Sequence, residues 1–525
     1  MSGMTLAHIS QQYAQQQPER TAIVFKDRQI SYANLNQSAN QVAHGLTKLD
    51  VQPQDRILFL DVNNDRFYEV AIGSSRIGAV IVPIHAKFVL NEILPIIQDS
   101  QAKVLFIGRV FYTAIGEQLQ ALLGDTFTII CTDEQYEIWR DHQSINPNDY
   151  QQDTREICLQ LYTSGTTGVS KGVELCSLSL FHTALDAKQN HGLSPLAQFH
   201  SDDHVLLSLP HAHIAGSLAG LFALYLGCKL VLVEQFNPQN VLQIMQQEQV
   251  SLTLLVPVML KHLLDALSEN NQALNTLKNV IYGAAPMPTT LLKAAIKRLP
   301  HTHFGQIYGL TESSGPITYL DAQDHLDIAQ GNDRLSHSCG RATHGVEIQI
   351  LNEKFEQLLS GQIGEIACRS IQNMNGYWQK PTETSQTFHN EYLLTGDLGY
   401  MDEQGYLYIY DRKKDMVISG GENVYPTEIE DILYQHPDVS EVAVIGVPDE
   451  TWGECLKAII VLKNNNQDVA SIAQNILEFS KSKLANFKVP KSIDFVEQLP
   501  RNPAGKVLRQ ILREPYWSKQ DRQVS

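Results

Sequence analysis

Apolar residues recur along this chain at two spacings, and the alternation between them lays out an order of elements. Residues 21–26 and 29–31 read as a strand hairpin around Asp27 and Arg28, and residues 32–49 carry apolar positions at helical spacing. Residues 56–60, 78–83 and 103–106 are apolar runs of strand length, separated by helical patterns over 64–77 and 91–100. Strand and helix alternating in this way predict an α/β layer with a largely parallel sheet. Further strands are expected at 157–162, 204–209, 230–234, 252–256 and 280–283, with a helix over 238–249. The apolar stretch 214–233 is long enough to suggest a membrane span. Gly227-Cys228-Lys229 interrupts it, so a buried helix followed by a strand is the better reading.

A second, smaller pattern closes the chain. Residues 406–410 alternate like a strand and run into Asp411-Arg412-Lys413-Lys414-Asp415. Five consecutive charges predict solvent exposure and mark the domain boundary, with residues 1–412 on one side and 413–525 on the other. Beyond it, a strand and a Gly-Gly turn over 416–424, a helix over 426–436 and strands over 442–446 and 458–462 make a small α/β domain.

Between the strand at 157–162 and the next apolar run lies L-Y-T-S-G-T-T-G-V-S-K-G-V, residues 161–173. Its glycines allow tight turns and close approach of a ligand to the backbone. Backbone N–H groups of Ser164, Gly165, Thr166, Thr167 and Gly168, with the hydroxyls of Thr163, Ser164, Thr166 and Thr167, are suited to phosphate oxygens. Lys171 adds a cation. A Gly/Ser/Thr cluster is often only a surface turn, but a buried strand holds this one in place. The common P-loop requires Gly-Lys-Ser/Thr five residues after its first glycine. Here Ser170 stands at that place and Lys171 is followed by Gly172, so the loop is of another type.

Composition narrows the class. At 525 residues the chain is expected to hold two or more domains. Its 43% hydrophobic and 18% charged residues are globular values. A net charge of −17 disfavours a nucleic-acid surface. Seven scattered cysteines with no CxxC pair disfavour zinc and disulfide frameworks and fit a reduced cytoplasm. The N-terminal twenty residues carry no signal-peptide pattern.

Other segments carry candidate chemistry. Leu209-Pro210-His211-Ala212-His213 offers an H-x-H, readable as half a metal site or as a buried histidine pair; only Asp202 and Asp203 lie near at ligand spacing. In V-I-Y-G-A-A-P-M-P, Gly283, Ala284 and Ala285 are expected to leave room for a flat ring. Gly305-Gln306-Ile307-Tyr308-Gly309-Leu310-Thr311-Glu312 supplies an aromatic face, a hydroxyl and a carboxylate suited to Mg²⁺. Asp397, in L-L-T-G-D-L, is placed to accept from ribose hydroxyls. Lys506 follows Pro-Ala-Gly on a tight turn, and Lys481, Lys483, Lys488 and Lys491 form a basic run, either a solvated face or a meeting place for acidic groups.

Taken together and in order, these motifs resemble the adenylate-forming (ANL) superfamily of acyl-CoA synthetases, peptide-synthetase adenylation domains and luciferases. The likeness runs from Thr21 to Arg513. One departure is Ser170, where the family has proline. The resemblance implies a large N-terminal domain of layered sheets and helices and a small mobile C-terminal α/β domain. It implies ATP and Mg²⁺, with CoA as co-substrate. Thr163, Ser164, Gly165, Thr166, Thr167, Gly168 and Lys171 would hold phosphates. Gly283, Ala284, Ala285, Gln306, Ile307, Tyr308 and Gly309 would face adenine. Asp397 and Arg412 would contact the ribose, and Glu312 the metal. Thr311, Glu312, His213 and Lys506 would act in catalysis, Lys506 reaching the acyl carboxylate and α-phosphate. Lys414 would be the hinge, and Ser419, Gly420, Gly421 and Glu422 would line the thiol's approach. In the family's P-x-x-H-x-x-G loop, matched by Pro210, His213 and Gly216, the histidine lies between nucleotide and acyl pocket; relatives that activate amino acids are acidic there. The implied reaction joins a carboxylic acid, of the medium- or long-chain fatty kind, to CoA. A free-standing ligase loading an acyl or peptidyl carrier protein and a non-catalytic nucleotide sensor are the alternatives. A monomer or homodimer without a transmembrane segment is expected.

Overall fold

The computed structural model describes residues 5–124, 126–163, 170–267, 274–285, 287–412, 415–419, 422–449, 453–463, 469–501 and 507–517; at Arg412, Ser419 and Glu422 the description covers the backbone. Contacts group the chain into two units, Met1–Ile348 with Cys368–Leu393, and Gln349–Ala367 with Leu394–Ser525. They place 394–412 with the C-terminal residues.

In the first unit the strands are, in chain order, β1 (Thr21–Phe25), β2 (Arg28–Ser31), β3 (Arg56–Leu60), β4 (Val80–Ile84), β5 (Val104–Ile107), β6 (Thr128–Cys131), β7 (Ile157–Thr163), β8 (Lys171–Cys176), β9 (His204–Leu207), β10 (Lys229–Leu232), β11 (Leu252–Leu255), β12 (Asn279–Gly283), β13 (His303–Leu310), β14 (Gly315–Leu320) and β15 (Arg341–Ala342). One sheet runs β15-β14-β13-β12-β11-β9-β10-β1-β2. Its interior pairs are parallel, and antiparallel pairs close both edges. A second runs from Gly376–Tyr377 through β8-β7-β4-β3-β5-β6. Every residue of β3, β4 and β5 is buried. Such unbroken apolar runs are what a parallel sheet covered on both faces requires.

The largely parallel sheets were legible in the apolar runs, and the hairpin of β1 with β2 was legible as well; the antiparallel pairs β7–β8 and β13–β14 were not. The edges matter here, because β7 and β8 form an antiparallel hairpin in which Thr163 is the direct partner of Lys171. The candidate phosphate loop thus links two strands, and its two ends are held opposite each other. The apolar stretch over 214–233 is a buried helix, Ile214–Leu226, followed by β10, as expected. Among the described residues no helix is long and apolar enough to cross a membrane.

The second unit contains a sheet of strands Glu422–Val424, Val417–Ser419, Gly453–Leu462 and Val439–Asp449, with Ser492–Phe495 added parallel to Gly453–Leu462. Helices Pro426–Leu433 and Val469–Lys483 cover it through Ile429, Leu433, Ile472 and Ile476. Asp411 and Asp415, at the two ends of the charged run, are less exposed than its charges suggest. Asp411 is buried, accepts from Thr427 N–H at 3.1 Å and lies 3.9 Å from Arg509. Arg509 also reaches Asp415 at 3.4 Å and grips both oxygens of Glu430 at 2.8 and 2.7 Å. A cation of matching geometry accounts for the burial of these carboxylates.

Candidate functional site

The hairpin β7–β8 presents the glycine-rich loop, and a third strand fixes its base. Gly376 pairs with Glu174 and Tyr377 with Val173, and Trp378 N–H donates to Gly172 O at 2.8 Å. This pairing aims the Tyr377 ring at Lys171, whose Nζ lies 4.9 Å from the ring centre. The Tyr377 hydroxyl donates to Glu312 Oε1 at 2.9 Å. Burial, and then the Glu312 carboxylate, raise the tyrosine well above its ordinary pKa, so it stays a donor. Glu312 itself sits on the short 3₁₀ turn Thr311–Ser313 that ends β13, held by Ser313 Oγ accepting from Leu310 N–H at 3.1 Å and donating to Gly315 O at 2.7 Å. The loop lysine and the candidate metal carboxylate, far apart in sequence, therefore meet at one aromatic ring. The residues Ser164, Gly165, Thr166, Thr167 and Gly168 lie outside the described residues.

Beneath the loop runs a buried polar chain. Arg56 on β3 donates to Glu174 at 2.6 Å and to Gln160 Oε1 at 3.1 Å, and its guanidinium lies 3.4 Å from the Trp378 ring centre. Gln160 donates to the Tyr162 hydroxyl at 3.1 Å, which donates to Asp99 at 2.7 Å; Trp378 Nε1–H donates to Asp99 O at 2.8 Å. All but the Gln160–Tyr162 bond, which lies within β7, cross between elements, so β7 and β8 are tied to β3 and to the helix Leu90–Ser100. Sequence reading gave no role to Arg56, Tyr377 or Trp378. The aromatic pair directly after Asn375-Gly376 was the available signal.

In the segment 283–285, a Cβ on Gly283 would stand 2.5 Å from Ile307 O and 2.6 Å from Ile307 Cγ1, so this glycine serves the close approach of β12 to β13. Ala284 is exposed with φ of +66°, and Ala285 is half-buried, so any flat face belongs to them. Gln306, Ile307 and Tyr308 are half-buried along β13 and Gly309 is exposed. Gln306 Oε1 accepts from the buried Tyr282 hydroxyl at 3.3 Å, which also meets His325 Nε2 at 2.8 Å. A Cβ on Gly309 would run into the Gly315 carbonyl.

His213 caps the helix Ile214–Leu226, and Gly216 in its first turn packs so closely on the Pro210 carbonyl that no side chain fits. His211 stacks on Phe67 with ring centres 4.3 Å apart, and His213 lies 5.0 Å from His85, the residue that follows β4. Among the described residues no group of three or more His, Cys, Asp or Glu is arranged for a metal ion. The H-x-H reads as a histidine pair packed on aromatic neighbours, His211 buried and His213 half-buried. Burial pushes His85 and His211 down to about 3 and His213 to about 4, with neighbouring charge adding to it. All three are neutral at pH 7. The unfolded chain takes up their protons near pH 6.5 and the folded chain does not. Stability is accordingly full above about pH 6.5 and is lost as pH falls toward 4, by up to about 1.4 kcal/mol per pH unit for each histidine. Urea unfolding midpoints from pH 7 to 4.5 measure this slope, and His211→Phe flattens it.

In the second unit, Asp397 is buried within the strand Tyr392–Met401 and its N–H donates to Thr395 Oγ1 at 3.1 Å. Gly396 before it has φ of +71°, a turn in the strand that suits glycine. Asp397 and Arg412 are direct cross-strand partners, so the two residues expected at the ribose come from facing positions. In the basic run, Lys488 is tied to Glu428 at 2.7 and 2.8 Å, which removes it from the set of free cations. Ser419 and Glu422 are partners at the ends of an antiparallel pair. Lys414, Gly420, Gly421 and Lys506 lie outside the described residues.

Comparison with known proteins places the chain in a family. Residues 10–378 match the model of the AMP-binding enzyme family, and residues 428–506 match that of the AMP-binding enzyme C-terminal domain. Fatty acid–[acyl-carrier-protein] ligase ScoC of Streptomyces coeruleorubidus is 31% identical, over 99% of this chain and 98% of its own length. Long-chain-fatty-acid–CoA ligase FadD13 of Mycobacterium tuberculosis is 35% identical, over 93% of this chain and 94% of its own. The solved Mycobacterium tuberculosis fatty acyl CoA synthetase superposes with a TM-score of 0.77 at 32% identity, covering 98% of each chain. The chain belongs to the AMP-binding enzyme family, the ANL superfamily of AMP-forming acid–thiol ligases.

Proposed function

We propose that the protein activates a medium- or long-chain fatty acid as its acyl-AMP and passes the acyl group to the thiol of CoA. The observation that carries the reading is the meeting of Lys171 and Glu312 at Tyr377, beside a loop whose ends Thr163 and Lys171 face each other. Such a site grips a triphosphate from both sides. A carboxylate oxygen of the acid attacks the α-phosphorus, the bond to the β-phosphate bridging oxygen breaks, and pyrophosphate leaves. The thiol then attacks the acyl carbon and AMP leaves. The protein positions the reactants and stabilises charge on the phosphate in both steps. Thr311 and the loop donors hold the phosphate oxygens, Asp397 and Arg412 the ribose, and Ala284, Ala285 and Tyr308 the adenine.

Glu312 would hold Mg²⁺. A single carboxylate, with no cluster of further acidic or histidine ligands among the described residues, fits an ion that keeps its waters and shares phosphate oxygens. When bound, the ion withdraws charge from the phosphates. Tyr377 keeps the carboxylate in place. Neutral His213 leaves no anionic partner for an ammonium group, which favours a simple carboxylic acid over an amino acid. Lys506 serves the first half-reaction, and the C-terminal residues turn about Lys414 to bring the 419–422 segment to the second. The buried, free cysteines suit a reduced cytoplasmic setting.

Transfer to an acyl carrier protein is the second reading, favoured by the likeness to ScoC. Pyrophosphate release over a panel of acids, with CoA, with carrier protein and with neither, tests both. CoA-dependent turnover with fatty acids is the expected result. Turnover with carrier protein alone selects the second reading, and no ATP consumption with any acid overturns both.

A further inference from the structure

His85 follows directly on β4 and lies outside the motifs quoted above. Three of the ten buried side-chain polar atoms without a hydrogen-bond partner among the described residues are the Nε2 atoms of His85, His211 and His213. An unpartnered buried donor or acceptor is costly, and a native structure keeps one where something else will meet it. His211 stacks on Phe67 and is fully enclosed. His85 and His213 instead face each other, their ring centres 5.0 Å apart and their planes tilted by 45°.

Geometry fixes the tautomer of His85. The backbone N–H of Lys87 donates to its Nδ1 at 3.0 Å, so Nδ1 is the acceptor. In a neutral imidazole the hydrogen then resides on Nε2. His85 is 4% exposed. Its Nε2–H is therefore a neutral, oriented donor, buried and unspent.

Its location follows from the sheet. β4 pairs with β7 in parallel at Ile81↔Leu159, and counting on from that pair sets His85 level with Thr163, where the glycine-rich loop begins. Pro83 lies between, with no N–H to extend the ladder, and the recorded pairing of β4 with β7 is confined to that single rung. On the other side stands the start of the helix Ile214–Leu226, whose cap His213 makes no side-chain capping bond. The first amides of such a helix favour an anionic oxygen. The His85 ring thus stands level with Thr163, the residue from which the glycine-rich stretch continues, and beside the residue that caps the positive end of a helix.

We propose that His85 donates its Nε2–H to one carboxylate oxygen of the acid substrate and orients the other toward the α-phosphate. This rests on the acid-activating reading above. A neutral donor suits the task, since a full cation there would hold the negative charge that the attacking oxygen needs. His85 is a binding residue for the acid, and it makes no demand on ATP.

The test is steady-state acyl-AMP formation, followed by pyrophosphate release, with acid and ATP varied separately. His85→Phe keeps ring volume and removes the donor; His85→Gln restores an N–H near the same place. The expected result is a rise in KM for the acid of about tenfold to a hundredfold in His85→Phe, an unchanged KM for ATP, and recovery to within a few-fold in His85→Gln. The primary alcohol of the same chain length, used as a competitive inhibitor, is expected to bind both variants as it binds the wild type. A raised KM for ATP with the acid KM unchanged makes His85 a support of the phosphate loop and overturns the proposal, as does an unchanged KM for both. Should His85→Phe not fold, His85→Leu takes its place with the same criteria. Absence of pyrophosphate release by the wild type with every acid is a separate outcome: it overturns the acid-activating reading and this proposal with it.

Discussion

Replacing Lys506 with alanine is expected to slow acyl-AMP formation by about 10²–10³-fold while leaving thioester formation from supplied acyl-AMP intact. The expected effect is electrostatic. Charge develops on the α-phosphate oxygens as the carboxylate attacks, and a point cation on a flexible stem meets it without holding the ground state rigidly. The second half-reaction discharges the adenylate to a thiol and has no need of the same cation in the same place. Single-turnover assays of each half, run with acid plus ATP and with synthetic acyl-AMP plus CoA, separate the two. Equal loss in both halves would place Lys506 in a structural role and remove the rotation about Lys414 from the account.

The largest stability loss is expected from Arg56→Met. Arg56 and Glu174 are both mostly buried, with side chains 5% and 19% exposed, and they meet at 2.6 Å. Burial alone pulls the arginine below and the glutamate above their ordinary pKa values, and each charge offsets part of that for the other. Removing one partner leaves a buried charge uncompensated, at a cost of about 3–5 kcal/mol. The guanidinium also fills the space against Trp378, so part of the loss is packing. Chemical denaturation of Arg56→Met and of Arg56→Met/Glu174→Leu decides between charge and packing. If charge dominates, the double variant recovers most of the stability; if it recovers none, the contact with Trp378 is the larger effect. Because the same network supports the glycine-rich loop, the KM for ATP is expected to rise with the single variant.

What could be read from the chain, and what could not, follows from the range of each interaction. Runs such as Arg56–Leu60 and Val80–Ile84 are apolar throughout because both faces of a parallel sheet are covered, and that signal is local. The family motifs are local as well, and they gave Lys171, Glu312 and Asp397 as candidates. Pairing is a property of two segments, and no local pattern announced that Thr163 faces Lys171 or that Asp397 faces Arg412. For the same reason Asp411, in a run of five charges, looked exposed. Its partners, Thr427 and Arg509, lie far along the chain. That Gly283 also admits the neighbouring strand was not legible, since only Ile307 in place shows it. His85 had a visible signal, a histidine directly after five buried residues, but its meaning needed the ring of His213 beside it.

Arg509 is held at once by Glu430, Asp411 and Asp415. Three residues before it in the chain comes Lys506, and between Asp411 and Asp415 comes Lys414. One guanidinium therefore rivets both flanks of the proposed pivot to the helix Pro426–Leu433 and to the start of the last helix. If Lys414 is that pivot and Lys506 the working arm, loosening this rivet would blur the timing of the two half-reactions before it touched the chemistry of either.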